Sequence, residues 1–237
     1  MLILAMDSTA TATSVALLSD GAPLAAFHLN NGNTHSETLL PMVESVLRGT
    51  GKTVDDVDLF AVSAGPGSFT GVRIGAATVK GLAFGKGKPC AGVSTLEALA
   101  ENLVPATGLL CPVMNARRGQ VYNALFRFEN GTLTRLCPDR AISTEELEAE
   151  LLAKNEPVTL CGDGAELVKN SFTRLAVNLP PLTLIGQNAV SVAICAARMA
   201  ARGETCTDEE LKPVYLRMPQ AERERLQKLQ QQAKEQL

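Results

Sequence analysis

Residues 2–28 read LILAMDSTATATSVALLSDGAPLAAFH, three apolar runs separated by two short polar segments. The first run, Leu2–Met6, predicts a buried strand. The other two runs, Ser14–Leu18 and Leu24–His28, lie on either side of Asp20-Gly21, and an Asp-Gly pair in this position is a strong hairpin signal. The stretch therefore predicts three consecutive strands, the last two of which form a hairpin.

Helices and strands are predicted to alternate after this hairpin. The Thr34-x-x-Glu37 pattern is typical of a capping box that begins a helix, and apolar residues at helical spacing continue to about Arg48. The later elements of the first half are a strand at Leu59–Ser63, a helix from about Phe69 to Phe84, a strand at Cys90–Val93 and a helix at Thr95–Leu103.

The second half of the chain repeats the same order of elements. Its hairpin turn is Asn130-Gly131, its capping box is Ser143-x-x-Glu146, and its glycine break is Gly162-Asp163-Gly164. The predicted strands are Leu110–Asn115, Gln120–Phe128, Thr132–Leu136 and Val158–Cys161, with a helix from Ser143 to about Ala153.

This repeated order predicts an α/β protein of two tandem ribonuclease-H-like βββαβα domains, the ASKHA architecture of actin, Hsp70 and sugar kinases. The domains are expected at residues 1–105 and 106–217, and a polar tail is expected at 218–237. Because one fold serves many activities, the architecture alone does not give the function.

Composition excludes several classes of protein. Hydrophobic residues make up 46% of the 237 residues and the net charge is −3, which favours a globular protein and argues against a free-standing nucleic-acid binder. With His28 and His35 as the only histidines and no Cys-x-x-Cys pair, no metal site is expected. The apolar N-terminal run lacks a basic segment before it and ends at Asp7, so the sequence predicts a cytoplasmic protein that does not enter membranes.

The loop after the first strand is a candidate phosphate site. In the ASKHA architecture, phosphates lie between two hairpins, and an acid near each hairpin holds Mg²⁺. Asp7, Ser8, Thr9 and Thr11 offer a carboxylate and hydroxyls at the first of these positions. The alternative is that Asp7 and Ser8 bind their own backbone in a local turn.

The equivalent loop of the second half contains no carboxylate. It reads Asn115-Ala116-Arg117-Arg118-Gly119-Gln120. Arg117 and Arg118 are candidate anion contacts, but guanidinium groups do not bind Mg²⁺. The alternative is that both arginines are simply solvated, and in either case the phosphate site is expected to be vestigial.

The segment Gly65-Pro66-Gly67-Ser68-Phe69-Thr70-Gly71-Val72-Arg73-Ile74-Gly75 is the most unusual part of the sequence. It lacks the Gly-Lys-Ser/Thr ending of a P-loop. Glycines inside a helix cost about 1 kcal/mol each, so Gly71 and Gly75 predict close approach of another backbone. That backbone is either the helix containing Leu39–Leu47 or a second chain, and Gly75→Leu is expected to clash there while each domain stays folded.

No nucleophilic site is evident. Ser68 lies in a Gly-Ser-x-x-Gly pattern, not in the Gly-x-Ser-x-Gly of a nucleophile elbow. Only His28 and His35 could act as its base, so a peptidase is poorly supported by the residues.

These motifs together resemble the TsaB (YeaZ) family. The resemblance rests on Asp7-Ser8-Thr9, the block from Gly65 to Gly75, Asn115–Tyr122 and Pro213-Val214-Tyr215-Leu216-Arg217, and it covers residues 1 to about 217. It implies a bacterial cytoplasmic subunit needed to form threonylcarbamoyladenosine (t6A) at tRNA position 37. It also implies a catalytic partner, TsaD, and an ATPase partner, TsaE. The chain would have no cofactor of its own, while the complex would use ATP through TsaE and a metal ion in TsaD.

The resemblance also implies a non-catalytic role, with Arg117 and Arg118 as candidate contacts to tRNA phosphates. TsaD carries a His-x-x-x-His metal pair where this chain has Thr95 and Leu99, which cannot bind a metal together. The face expected to pair with TsaD, or with a second copy in a homodimer, consists of residues from two helices: Leu39, Leu40, Val43, Val46, Leu47, Gly71, Val72, Gly75, Thr78, Val79 and Leu82. The alternative function is that of an ATP-binding kinase-like protein or ATPase of the same superfold.

Overall fold

The computed structural model describes residues 1–217, which form two β-sheets covered by helices. The first sheet has the order β3-β2-β1-β4-β5. Strands β1, β2 and β3 are antiparallel, whereas β4 and β5 run parallel to β1. Its strands are β1 (Leu2–Asp7), β2 (Thr13–Ser19), β3 (Ala22–Leu29), β4 (Leu59–Gly65) and β5 (Cys90–Ser94). The predicted strands and hairpin of the first half are therefore confirmed.

One face of this sheet is covered by α1 (His35–Thr50) and α2 (Phe69–Ala83), and α3 (Thr95–Glu101) follows β5. Leu4 and Met6 of β1 pack there against Leu39 of α1 and Val79 of α2, all of them buried. The capping box predicted at Thr34 and Glu37 is wrong in its hydrogen bonds. Thr34 holds the N-cap position, but its side chain makes no cap bond and lies 3.2 Å from the Ser36 hydroxyl instead.

The second sheet is built around one long central strand, β6, to which β11 pairs in parallel. Strands β7 and β8 both pair antiparallel with β6. The elements are β6 (Leu109–Arg117), β7 (Gln120–Asn123), β8 (Phe126–Glu129), β9 (Thr132–Arg135), β10 (Arg140–Ser143), β11 (Val158–Cys161), α4 (Thr144–Lys154), α5 (Ala165–Ser171) and α6 (Leu182–Ile185).

The single strand predicted at Gln120–Phe128 is interrupted. Strands β7 and β8 keep one register along β6, and the break falls opposite Pro112. Proline has no N–H for the ladder. The side-chain amide of Asn123 occupies the gap, where its Nδ2 donates to the carbonyl oxygens of Pro112 (3.1 Å) and Ala124 (3.0 Å).

The last helix, α7 (Ala189–Ala201), returns to the first sheet and covers its other face. Val192 and Ala196 are buried there with Ile3 and Val93. The backbone N–H of Ala189 donates to the Ser14 hydroxyl of β2 (3.0 Å), which fixes the start of the helix. The expected domain boundary at residue 105 is corrected by this packing, because residues assigned to the second domain complete the core of the first.

Residues 206–217, here called the strap, follow α7 and also contact the first sheet. The strap pairs with β5 at Cys206 and Cys90, and the N–H of Val214 donates to the carbonyl of Ala64 (2.7 Å). The tail expected at 218–237 lies outside the described residues. Within residues 1–217, no helix has the length and apolar content needed to cross a bilayer.

Candidate functional site

A cleft of about 780 Å³ lies between the two sheets, a volume typical of small-molecule sites. Its walls come from the β1–β2 loop, the start of α1, the β4–α2 loop, the β6–β7 hairpin, the loop after β11 and the strap. The segments singled out in the sequence therefore meet at one place.

Asp7, the expected metal-binding acid, is buried beneath the cleft wall and hydrogen-bonded by the protein. One carboxylate oxygen accepts from the N–H (2.8 Å) and hydroxyl (2.7 Å) of Thr9, and the other accepts from the hydroxyl of Ser63 (2.5 Å). Burial raises the pKa of Asp7 above its usual range, although these hydrogen bonds act in the opposite direction. The Asp7 carboxylate stabilises the β1–β2 turn, so it does not fit as a ligand for Mg²⁺.

The other residues of the expected phosphate loop differ in their exposure to solvent. Ser8 is buried and donates its hydroxyl to the carbonyl of Gly71 (2.8 Å), and Thr9 is also buried. Thr11 is exposed in the cleft. Of these four residues, only Thr11 is accessible to solvent, so only its hydroxyl could contact a ligand in the cleft.

The helix glycines approach this same loop. A Cβ atom at Gly71 would lie 1.9 Å from the carbonyl oxygen of Ser8, and one at Gly75 would lie 2.7 Å from the Ser8 hydroxyl oxygen and 2.9 Å from a methyl of Val62. The backbone that approaches Gly71 thus belongs to the β1–β2 loop and not to a second helix, although a side-chain carbon of His35 in α1 would also lie 3.3 Å from that Cβ. Gly75→Leu would disrupt the protein's own core around the first sheet, so it cannot test partner binding. We call the part of the protein built on the first sheet the first lobe, and the part built on the second sheet the second lobe.

Most of the residues expected on the partner face lie in the protein's own core. Val43, Val46 and Leu47 of α1 are buried with Leu39, and Val72 of α2 is buried with Val79. This corrects the expected face, because a buried side chain is unavailable to a partner. Leu40 is exposed, and Thr78 and Leu82 are partly exposed.

The exposed side of α2 carries a different set of residues. Arg73, Ala77 and Gly81 form one exposed row, and Ile74, Thr78 and Leu82 form a partly exposed row beside it. No other part of the described chain comes within 4 Å of a Cβ at Gly81. We call these six residues the α2 face.

The second hairpin presents its arginines in an unusual backbone conformation. Arg117 and Arg118 have φ angles of 62° and 57°, followed by Gly119 at 70°. Residues with a side chain adopt such angles rarely, and a tight hairpin turn is one of the places that require them. Both arginines are exposed, and Arg117 lines the cleft.

Asp163, a residue absent from the predicted site, provides a carboxylate in the cleft. Its side chain still reaches solvent, but burial by the surrounding loops raises its pKa to about 6 and the nearby charge of Asp7 adds to the rise. The Gly162-Asp163-Gly164 break was visible in the sequence, but its position opposite Asp7 depends on the pairing of β11 with β6.

The α2 helix begins in the same wall of the cleft, where the Ser68 hydroxyl accepts a hydrogen bond from the N–H of Gly71 (3.3 Å).

Side chains suited to metal binding are not brought together in the part of the chain that the structure describes. Within residues 1–217, no three His, Cys, Asp or Glu side chains are grouped as metal ligands. Thr95 and Leu99 are fully packed in the interior. His35 contacts the hydroxyl of Thr13 (2.6 Å) and the carbonyl of Ala10 (2.8 Å), so its ring is held by the β1–β2 loop.

Comparison with known proteins identifies close relatives. The family model described as TsaD, tRNA N6-adenosine threonylcarbamoyltransferase, matches residues 30–224. The tRNA threonylcarbamoyladenosine biosynthesis protein TsaB of Escherichia coli is 33% identical over 220 residues, which are 92% of this chain and 95% of that protein. TsaB of Bacillus subtilis is 36% identical over 169 residues, 71% of this chain and 74% of that protein.

A solved structure agrees with these sequences. YeaZ from Pseudomonas aeruginosa superimposes with a TM-score of 0.80 at 29% identity, and the match covers 91% of this chain and 99% of that one. The likeness therefore extends over nearly the whole of the described fold.

Proposed function

Because this chain belongs to the TsaB (YeaZ) family, we propose that it is a non-catalytic subunit required by TsaD. In this proposal TsaD transfers threonylcarbamoyl from threonylcarbamoyl-AMP to N6 of the adenosine at tRNA position 37, which forms t6A. The chain would act in the cytoplasm within a complex that also contains TsaE. ATP would be used through TsaE and a metal ion would be held by TsaD.

The state of Asp7 is the single observation that carries the non-catalytic role. Within residues 1–217, its hydrogen bonds come from Ser63 and Thr9, and the residue is 1% exposed. A kinase or ATPase of this superfold needs that acid for its metal. Thr95 and Leu99, at the positions where TsaD carries its histidine pair, are buried and offer no metal-binding nitrogen.

The α2 face supports a partner-binding role. Among its residues, Arg73 is the only charged one, and Ala77 and Gly81 leave a shallow groove along the helix. Small residues on a helix surface allow a second helix to approach closely, with its side-chain ridge seated in the groove. We assign the residues of this face other than Arg73, together with Leu40, to TsaD, and to a second copy of the chain in a homodimer when TsaD is absent.

A reconstituted reaction tests the proposal. Purified TsaD, TsaE, threonylcarbamoyl-AMP, ATP and unmodified tRNA are combined with and without this chain, and t6A is measured. The expected result is product only when the chain is present, with no hydrolysis of Mg-ATP by the chain alone. If TsaD makes t6A equally well without it, the proposed function is wrong.

A further inference from the structure

Arginines without a carboxylate partner are concentrated at one end of the cleft. Those that form ion pairs lie elsewhere, at Arg127, Arg135, Arg140, Arg174, Arg198 and Arg202. Within residues 1–217, the remaining arginines are Arg48 at the end of α1 and Arg73, Arg117, Arg118 and Arg217 around the strap. We call the last four residues the arginine arc.

Arg73 is held in place by two aromatic rings. Its guanidinium carbon lies 3.8 Å from the ring centre of Phe69, and its Nε donates to the hydroxyl of Tyr215 (2.9 Å). The two rings are 4.9 Å apart. Since Nε alone is used in this contact, the two terminal nitrogens stay available at the N-terminal end of α2, where the helix dipole also favours an anion.

Arg217 joins the strap to the second hairpin. Its Nη1 donates to the carbonyl of Ala116 (2.8 Å), directly before Arg117 and Arg118. Both of these arginines are exposed, and their side chains make no hydrogen bond to residues 1–217. The strap thus connects Arg73, through Tyr215, with the three arginines on the other side of the cleft mouth.

We propose that the arginine arc binds the phosphodiester backbone of an RNA strand, an inference that rests on the proposed function. The guanidinium groups lie on two different lobes and are joined by the strap, so they suit several phosphates in succession better than one compact anion. The exposed ring of Tyr215 adds an aromatic surface of the kind that RNA-binding proteins use. The chain carries a net charge of −3, so the attraction is local and the arc is expected to supplement RNA contacts made by a partner.

Salt-dependent tRNA binding tests this assignment. Unmodified tRNA is titrated into the complex of the full chain with TsaD, using wild type and the variants Arg73→Gln, Arg117→Gln, Arg118→Gln and Arg217→Gln, singly and combined. Each substitution should weaken tRNA binding. It should also reduce the magnitude of the slope of the logarithm of the association constant against the logarithm of the salt concentration by about one. The matched control is Arg48→Gln, which removes the same charge from an exposed arginine that lies outside the arc and forms no ion pair within residues 1–217, and it should leave both quantities unchanged.

Several outcomes would overturn the inference. One is a combined variant that binds tRNA with the affinity and salt slope of Arg48→Gln. Another is displacement of tRNA by inorganic phosphate or ATP at the same total phosphate concentration, which would indicate a small-anion site. A third is a combined variant that loses TsaD but keeps its RNA affinity when assayed alone, which would assign the arc to an acidic protein surface.

Two features of the design keep the result interpretable. Arg117→Gln and Arg118→Gln remove side chains that hold no other part of the described chain, so their effect cannot be attributed to a loosened strap. If wild type itself fails to bind TsaD, the proposed function fails. The arc is then tested with the chain alone at low salt, where the combined variant must still bind tRNA more weakly than Arg48→Gln does.

Discussion

The carbonyl oxygen of Ser8 lies so close to Gly71 that a Cβ atom there would approach it to 1.9 Å. The Ser8 hydroxyl also donates to the carbonyl of Gly71. The start of α2 is therefore packed directly on the β1–β2 loop, and glycine is required by this contact and not by the helix.

This contact predicts opposite effects for two glycines of one helix. Gly71→Ala forces backbone atoms apart and should reduce the free energy of unfolding by about 1–3 kcal/mol. Gly81→Ala meets open space and should increase it by about 0.5–1 kcal/mol through helix propensity. Urea unfolding measures both. A Gly71→Ala protein as stable as wild type would contradict the packing described here.

Asp7 is predicted to be replaceable by asparagine but not by alanine. In Asp7→Asn, the amide oxygen can still accept from Thr9, and the amide N–H₂ can donate to the Ser63 hydroxyl, which then acts as acceptor. In Asp7→Ala, buried donors lose their acceptor, at about 1–3 kcal/mol. Unfolding curves and t6A formation should both be near wild type for Asp7→Asn. Loss of t6A formation in a stable Asp7→Asn protein would instead indicate a metal-binding role.

Asp163 predicts a pH-dependent difference in stability. Its pKa is raised from 3.8 to about 6 in the folded protein, chiefly by burial. The stability contributed by its protonated form is present below about pH 4 and is lost as pH rises through about 6. Asp163→Asn cannot ionise, so it should gain stability over wild type as pH rises from 4 to 7. The gain should reach at most about 1 kcal/mol, because solvent screens this side chain.

Unfolding of wild type and Asp163→Asn at half-unit pH steps measures this difference. Carboxylates that do not interact with Asp163 titrate equally in both proteins and cancel, whereas its coupling to Asp7 remains part of the measured difference. A difference that stays constant across the range would show that Asp163 has an ordinary pKa.

The packing of α7 predicts that residues 1–105 do not fold alone. Without Val192 and Ala196, one face of the first sheet, including Ile3 and Val93, would be exposed to water. A fragment of residues 1–105 should show no cooperative thermal transition. A single chain that joins residues 1–105 to 188–217 through a flexible linker should show one. Cooperative unfolding of the short fragment would restore the boundary at residue 105.

Local patterns in the sequence predicted most of the fold. Ser143 and Glu146 form the predicted capping box, since Glu146 N–H donates to the Ser143 hydroxyl (3.1 Å) and Ser143 N–H donates to the Glu146 carboxylate (3.2 Å). The strands flanking Asp20-Gly21 and Asn130-Gly131 also lie where the apolar runs beside these turns indicated. These features depend on neighbours within a few residues.

The features that the sequence did not predict depend on contacts between distant residues. The break opposite Pro112 becomes visible only when β6 is known to pair with β7 and β8. Glycines spaced along a helix indicate that another part of the protein approaches closely, but they do not identify that part as Ser8. Likewise, the apolar residues of α1 have the same spacing in sequence whether the helix packs on its own sheet or on a partner. In the structure they pack on the first sheet.

The central claim, that this chain serves TsaD through the α2 face, is tested most directly with Gly81→Arg. The change adds a long charged side chain where the described protein leaves open space, and replacing a helical glycine should not lower stability. The matched control is Leu167→Arg, at an exposed leucine of α5 on the second lobe. Affinity for TsaD and t6A formed per tRNA should fall at least tenfold for Gly81→Arg and stay at the wild-type level for Leu167→Arg. Equal affinity and equal t6A formation for Gly81→Arg and wild type would contradict the claim.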